Sequence, residues 1–154
     1  MCSPRIRTLI AHVLAPVLVG AMVYLLWRSP KLLMFSWVRA GGLSNLLAVC
    51  RATTSPVVPF LPGWFLYSFP DGLWVYSFTS FILAVWCGTP RPSGKMAWAL
   101  TPALLGVGAE VLQWFRLIPG VFDPADVTAC ILGGTAAIVW WHRFARLGCG
   151  RAGG

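Results

Sequence analysis

Long apolar runs separated by short basic breaks constrain this chain more than any other feature. About 20 apolar residues are needed for a helix to cross the hydrocarbon core of a bilayer. Four segments meet or approach that length: Leu9–Trp27, Asp71–Cys87, Met96–Phe115 and Asp126–Phe144. Of the 154 residues 58% are hydrophobic and 10% are charged. An ordinary globular chain is roughly a quarter charged, and a soluble core of this size could not hide so much apolar surface. Lipid can, because it is the solvent for the outer face of a membrane helix. The expected fold is therefore all-α: a polytopic membrane helical bundle of about four transmembrane helices with short interfacial helices, forming one domain over residues 1–147 and leaving 148–154 as a disordered tail.

The ends of these runs carry the residues that settle at bilayer interfaces. Trp27, Trp74, Trp86, Trp98, Trp114, Trp140 and Trp141 all fall near a proposed boundary, as amphipathic indole rings do. The first run follows Arg5 and Arg7 but is too long for a signal-peptide core, and no small-residue cleavage site follows it, so it reads as a retained span. Between Arg28 and Pro70 the pattern is less regular. Leu32–Cys50 is apolar but carries Arg39, Gly41, Gly42, Ser44 and Asn45. An arginine at mid-membrane is costly, so one or two short helices at the interface are expected here, with a fifth span as the alternative. Ser55–Pro70 holds four prolines and reads as an irregular connection.

The net charge of +8 arises from 12 Lys and Arg against four acids. The cations lie in the breaks between apolar runs, which points to membrane lipids and topology, not to nucleic acid. With four spans, Arg5, Arg7, Arg91, Lys95, Arg143, Arg146 and Arg151 share one side and the other five cations the opposite one. This bias places both termini in the cytoplasm of a multi-pass inner-membrane protein. The five cysteines show no metal-site spacing, and Cys87 and Cys130, inside apolar runs, read as small apolar residues. No metal site or cofactor is expected. A homo-oligomer or an envelope-protein partner is compatible with so small a chain.

The acids carry the functional signal. Asp71, Glu110, Asp123 and Asp126 are the only four, and the four-span arrangement puts all of them on one side. Asp71 opens the second span, with helix capping as its bland role, and Asp126 opens the fourth with the same alternative. Glu110 lies inside the third span, where a carboxylate is expensive and usually functional. Ala99, Ala103, Gly106, Glu110 and Gln113 follow at helical spacing, as do Asp126, Ala129, Gly133 and Ala137. Small residues let membrane helices approach closely, so spans three and four are expected to pack along these stripes. Asp71, Gln113, Arg116, Asp123 and Asp126 are candidate ligand-binding residues and Glu110 a candidate acid or base. Arg116 could neutralise an acid. His12 and His142 read as neither ligands nor bases. No Ser–His–Asp set, phosphate loop or paired metal-binding histidines is visible.

Glu110-x-x-Gln113, then Phe122-Asp123-x-x-Asp126-Val127 and Gly133, resembles the signature of the VanZ-like family of small bacterial membrane proteins, over about a quarter of the chain. Pro70–Thr79 resembles a stretch of its distant members. The chain departs from the pattern at Gly120, where the family often has Arg, and at Cys130, where it often has Asn. The resemblance implies a cell-envelope protein, and an association of the founding member with reduced susceptibility to teicoplanin. Three functions are compatible with these residues. One is a non-enzymatic protein binding an envelope lipid or a glycopeptide-type ligand at the outer face. Another is an intramembrane enzyme on a lipid-linked substrate with Glu110 as acid or base. The third is a small ion- or proton-coupled transporter.

Overall fold

The computed structural model describes residues 6–29, 33–87 and 94–149, and among these every regular element is helical. Helix α1 spans Ile6–Trp27. Two short helices follow, α2 (Leu33–Ala40) and α3 (Ser44–Thr54), and a 3₁₀ segment Ser55–Phe60 leads to α4 (Gly63–Val85). Helices α5 (Lys95–Trp114) and α6 (Pro124–Cys149) complete the chain. Three of these, α1, α5 and Pro124–Ala145 of α6, are long and apolar enough to cross a membrane.

Helix α4 is as long as the others but richer in small polar residues, and it packs against α1, α5 and α6. Among its buried residues Ser68, Gly72, Val75, Thr79 and Leu83 recur at helical spacing, so that face is shielded by protein, and Pro70, Ser77, Ser80 and Ala84 are buried on its other sides. Small side chains on that face bring neighbouring backbones close. The closest approach is to α6. A Cβ at Gly72 would lie 2.9 Å from the carbonyl oxygen of Ala129, and a Cβ at Gly133 would overlap the carbonyl oxygen of Gly72.

This crossing corrects one sequence-based expectation. The Ala129–Gly133 stripe of α6 faces α4, not α5. Helix α5 meets an adjacent strip of α6, where Gly106 lies against the Cys130 sulfur and Gly134 against the Ala103 methyl. At the far end, Leu83, Ala84, Ala99 and Trp141 form a buried cluster, and the Thr79 hydroxyl donates to the Ala99 carbonyl at 3.2 Å.

The start of α4 is a second correction. Pro70 does not end an irregular connection; it lies inside the helix. A proline removes one backbone hydrogen bond, but membrane helices tolerate it where neighbouring helices surround the site, and Pro70 is fully buried. Asp71 therefore sits in the third turn of α4 and caps nothing. Trp74 moves with it. Instead of marking a helix end, it stacks on Tyr24 of α1 at 4.9 Å and packs over Gly20.

Helix α1 contains one π turn, Ile10–Leu14. Widening a helix by one residue disturbs its carbonyl ladder, and here the Ser77 hydroxyl donates to the Val13 carbonyl at 2.6 Å. The same turn presents His12, which shares a 2.6 Å hydrogen bond with the Tyr76 hydroxyl and lies 3.6 Å from the Trp140 ring centroid. His12 thus ties α1 to α4 and α6.

The region after α1 forms two short helices, as the sequence leads one to expect. The chain turns at Gly41–Leu43, and helices of 8 and 11 residues are too short to span a membrane. Arg51 fastens this hairpin to α1, donating to the carbonyls of Leu25 at 2.6 Å and Arg28 at 3.0 Å. These carbonyls end α1 and lack intrahelical partners. At the C-terminus α6 runs to Cys149, two residues into the segment assigned to the tail; residues 150–154 lie outside the described residues.

Candidate functional site

The loop between α5 and α6 sets the geometry of the acids. Helix α5 ends at Trp114, and Arg116, two residues on, holds a left-handed conformation (φ 57°). The Arg116 N–H bonds to the Gln113 carbonyl at 2.9 Å and the Leu117 N–H to the Leu112 carbonyl at 2.9 Å, satisfying carbonyls that the helix end would leave open. The chain then returns through Gly120 (φ 145°) to Asp123.

Asp123 and Pro124 start α6. The Asp123 carboxylate accepts the N–H of Ala125 at 2.8 Å, the bond of an N-cap, and proline suits the first helical position. The cap role expected of Asp126 thus belongs to Asp123. The Asp123 N–H donates to Oε2 of Glu110 at 3.0 Å, fixing the Glu110 carboxylate against the start of α6. Glu110 is 7% exposed.

With Asp123 serving as the cap, Asp126 in the first turn of α6 is released to face inward. Its Oδ1 is buried without a hydrogen-bond partner. Asp71 is held from α1, where the Tyr24 hydroxyl donates to its Oδ1 at 3.3 Å. Arg28 sits over the same phenol and donates to the Tyr24 hydroxyl at 3.5 Å, its guanidinium 4.6 Å from the Tyr24 and Tyr67 ring centroids. Gln113 is positioned by Gly120, where a Cβ would come within 2.5 Å of the Gln113 amide carbon.

These side chains meet in one cavity of about 620 Å³ between α4, α5 and α6. Asp71, Glu110, Gln113 and Asp126 line it, with Trp74, Phe78 and Trp98 among its apolar walls. Cys130 also lines it. Among the described lining residues there is no Lys, Arg or His. The volume lies in the range of small-molecule sites. No three of the described His, Cys, Asp and Glu residues come close enough to share a metal ion.

Of the six candidate residues, four line the cavity. Asp123 supports it from behind through Glu110, and Arg116 lies outside its lining with an exposed side chain. Sequence reasoning missed Tyr24, Trp74 and Cys130. Tyr24 stood inside an apolar run as its one phenol, which was the available signal; Cys130 gave none that separates a lining residue from a packed one. No family model, no curated protein and no solved structure matches the chain.

Proposed function

We propose that this chain is a multi-pass bacterial inner-membrane protein of the VanZ-like kind that binds a cationic group of the cell envelope in the acidic cavity. The observation that carries this reading is the convergence of Asp71, Glu110 and Asp126 on one lining that holds no described cation. Three carboxylates confined by apolar walls create a strongly negative potential, and aromatic faces such as Trp74 and Trp98 add attraction for an ammonium ion. In this reading α4 also crosses the membrane, as the second of four spans, and the acids lie toward the extracytoplasmic side with both termini in the cytoplasm. Glu110 and Asp126 hold the ligand's charge, Gln113 offers donors and acceptors, and Tyr24 orients Asp71.

Calorimetric titration of the purified protein with butylammonium tests this. Binding is expected in the wild type, and Glu110→Gln or Asp126→Asn should each weaken it by about tenfold, the usual scale for removing one charge partner from a desolvated pair. Absence of binding in the wild type, or an affinity unchanged in both variants, contradicts the reading.

A further inference from the structure

We infer that the natural occupant of this cavity is a lipid, its amine-bearing headgroup among the three carboxylates and its tail in the trough between α4 and α5. The inference rests on the cation-binding reading and adds what the rest of the ligand must be. The cavity is elongated. Its α4 wall runs from Asp71 to Ile82, eleven residues or about 16 Å at the helical rise. Helix α5 runs antiparallel beside it, from Gln113 back to Trp98.

Charge is confined to one end. Beyond Gly106 the α5 wall carries no charged side chain; the Thr101 hydroxyl there is occupied by the Ala97 carbonyl at 3.1 Å. The whole length, acidic tip included, matches one leaflet, half of the roughly 30 Å hydrocarbon core. The flank is open: Phe78, Trp98 and Leu105 line the trough and are 55%, 58% and 69% exposed. A soluble amine would use the acidic end alone. A groove one leaflet long, open along its side and charged only at its tip, has the shape of a membrane amphiphile entering from the bilayer. Any lipid tail could lie against the apolar wall. The carboxylates choose the head, repelling a purely anionic headgroup and attracting a primary amine.

Native mass spectrometry of the detergent-solubilised protein, given equimolar phosphatidylethanolamine and phosphatidylglycerol, tests the inference. Phosphatidylethanolamine is expected to be retained over phosphatidylglycerol by about tenfold or more, an electrostatic preference that the Glu110→Gln/Asp126→Asn double variant abolishes. Thr101→Trp, and independently Ile82→Trp, fill the tail end of the trough far from the acids. Each should cut phosphatidylethanolamine retention by about fivefold or more, a steric loss of packed tail contacts, while butylammonium affinity stays at the wild-type value. Equal retention of the two lipids, or full retention in both tryptophan variants, overturns the lipid assignment while butylammonium binding keeps the cation site. Loss of butylammonium binding in the wild type overturns both.

Discussion

Gly133→Ala is expected to destabilise the protein by about 3 kcal/mol or more, while Gly108→Ala leaves it unchanged or slightly more stable. Overpacking a core costs roughly 1–3 kcal/mol and occasionally more, depending on whether the neighbours can move. At Gly133 they cannot. A new methyl would fall on the carbonyl oxygen of Gly72, with the Gly72 carbonyl carbon at 3.0 Å and Cα at 3.3 Å. Those are backbone atoms of a buried helix, so relief requires shifting α4 from α6 along the most extensive helix contact in the fold. Moving the two helices apart also pulls Asp71 from Asp126. Gly108 has nothing within 4 Å of its would-be Cβ, so there the intrinsic preference of a helix for alanine, about 1 kcal/mol, acts alone. Denaturation of both variants in mild detergent, followed by circular dichroism, decides it. A Gly133→Ala protein melting like the wild type would mean that the α4–α6 crossing is looser than described.

Asp126→Asn is expected to raise the stability of the ligand-free protein by about 1 kcal/mol while weakening cation binding. Two effects oppose each other. A negative charge in the first turn of α6 interacts favourably with the helix dipole, worth about 0.3–1 kcal/mol. Against this, Oδ1 of Asp126 is buried without a partner in a lining shared with two other carboxylates. Leaving such a group unsatisfied costs about 1–3 kcal/mol, more when it is charged. The second effect wins, because an amide of nearly the same volume removes the buried charge and its repulsion by the other two carboxylates. Opposite signs for stability and binding are what a site kept for function produces. Thermal unfolding of both proteins without ligand measures the first sign; an Asp126→Asn protein less stable than the wild type would show that the carboxylate is there for structure.

The membrane helices were legible because their ends are chemically marked. Arg7, Arg28, Lys95 and Arg116 sit at or near the boundaries of α1 and α5, and Asp123-Pro124 starts α6. The start of α4 was not, because Pro62 and Pro70 signal a break to any local rule, and only the surrounding helices keep Pro70 inside one. The small-residue stripe of α6 announced a close crossing but not its partner. Chain adjacency favoured α5; packing joined Gly133 to Gly72 on α4 instead. The convergence of three of the four acids was legible from their scarcity, while Asp123 stands behind the cavity. The division of labour between Asp123 and Asp126 was not, since either could cap a helix, and the choice was made by the Asp-Pro geometry and by the hydrogen bond from the Asp123 N–H to Glu110.

The central claim is that three carboxylates govern one ligand-sized cavity, and Cys130, a free thiol 4% exposed on that cavity's lining, reports on it. In a chain whose other cysteines are replaced by serine, the rates at which Cys130 reacts with a cationic and an anionic methanethiosulfonate of similar size can be compared. A cleft lined by one sign of charge concentrates the opposite sign by about 10–10³-fold. The cationic reagent is therefore predicted to react at least about tenfold faster, with the preference collapsing when Asp71, Glu110 and Asp126 are all made neutral amides. Equal rates for the two reagents, or a preference that survives neutralisation of the acids, would contradict the account.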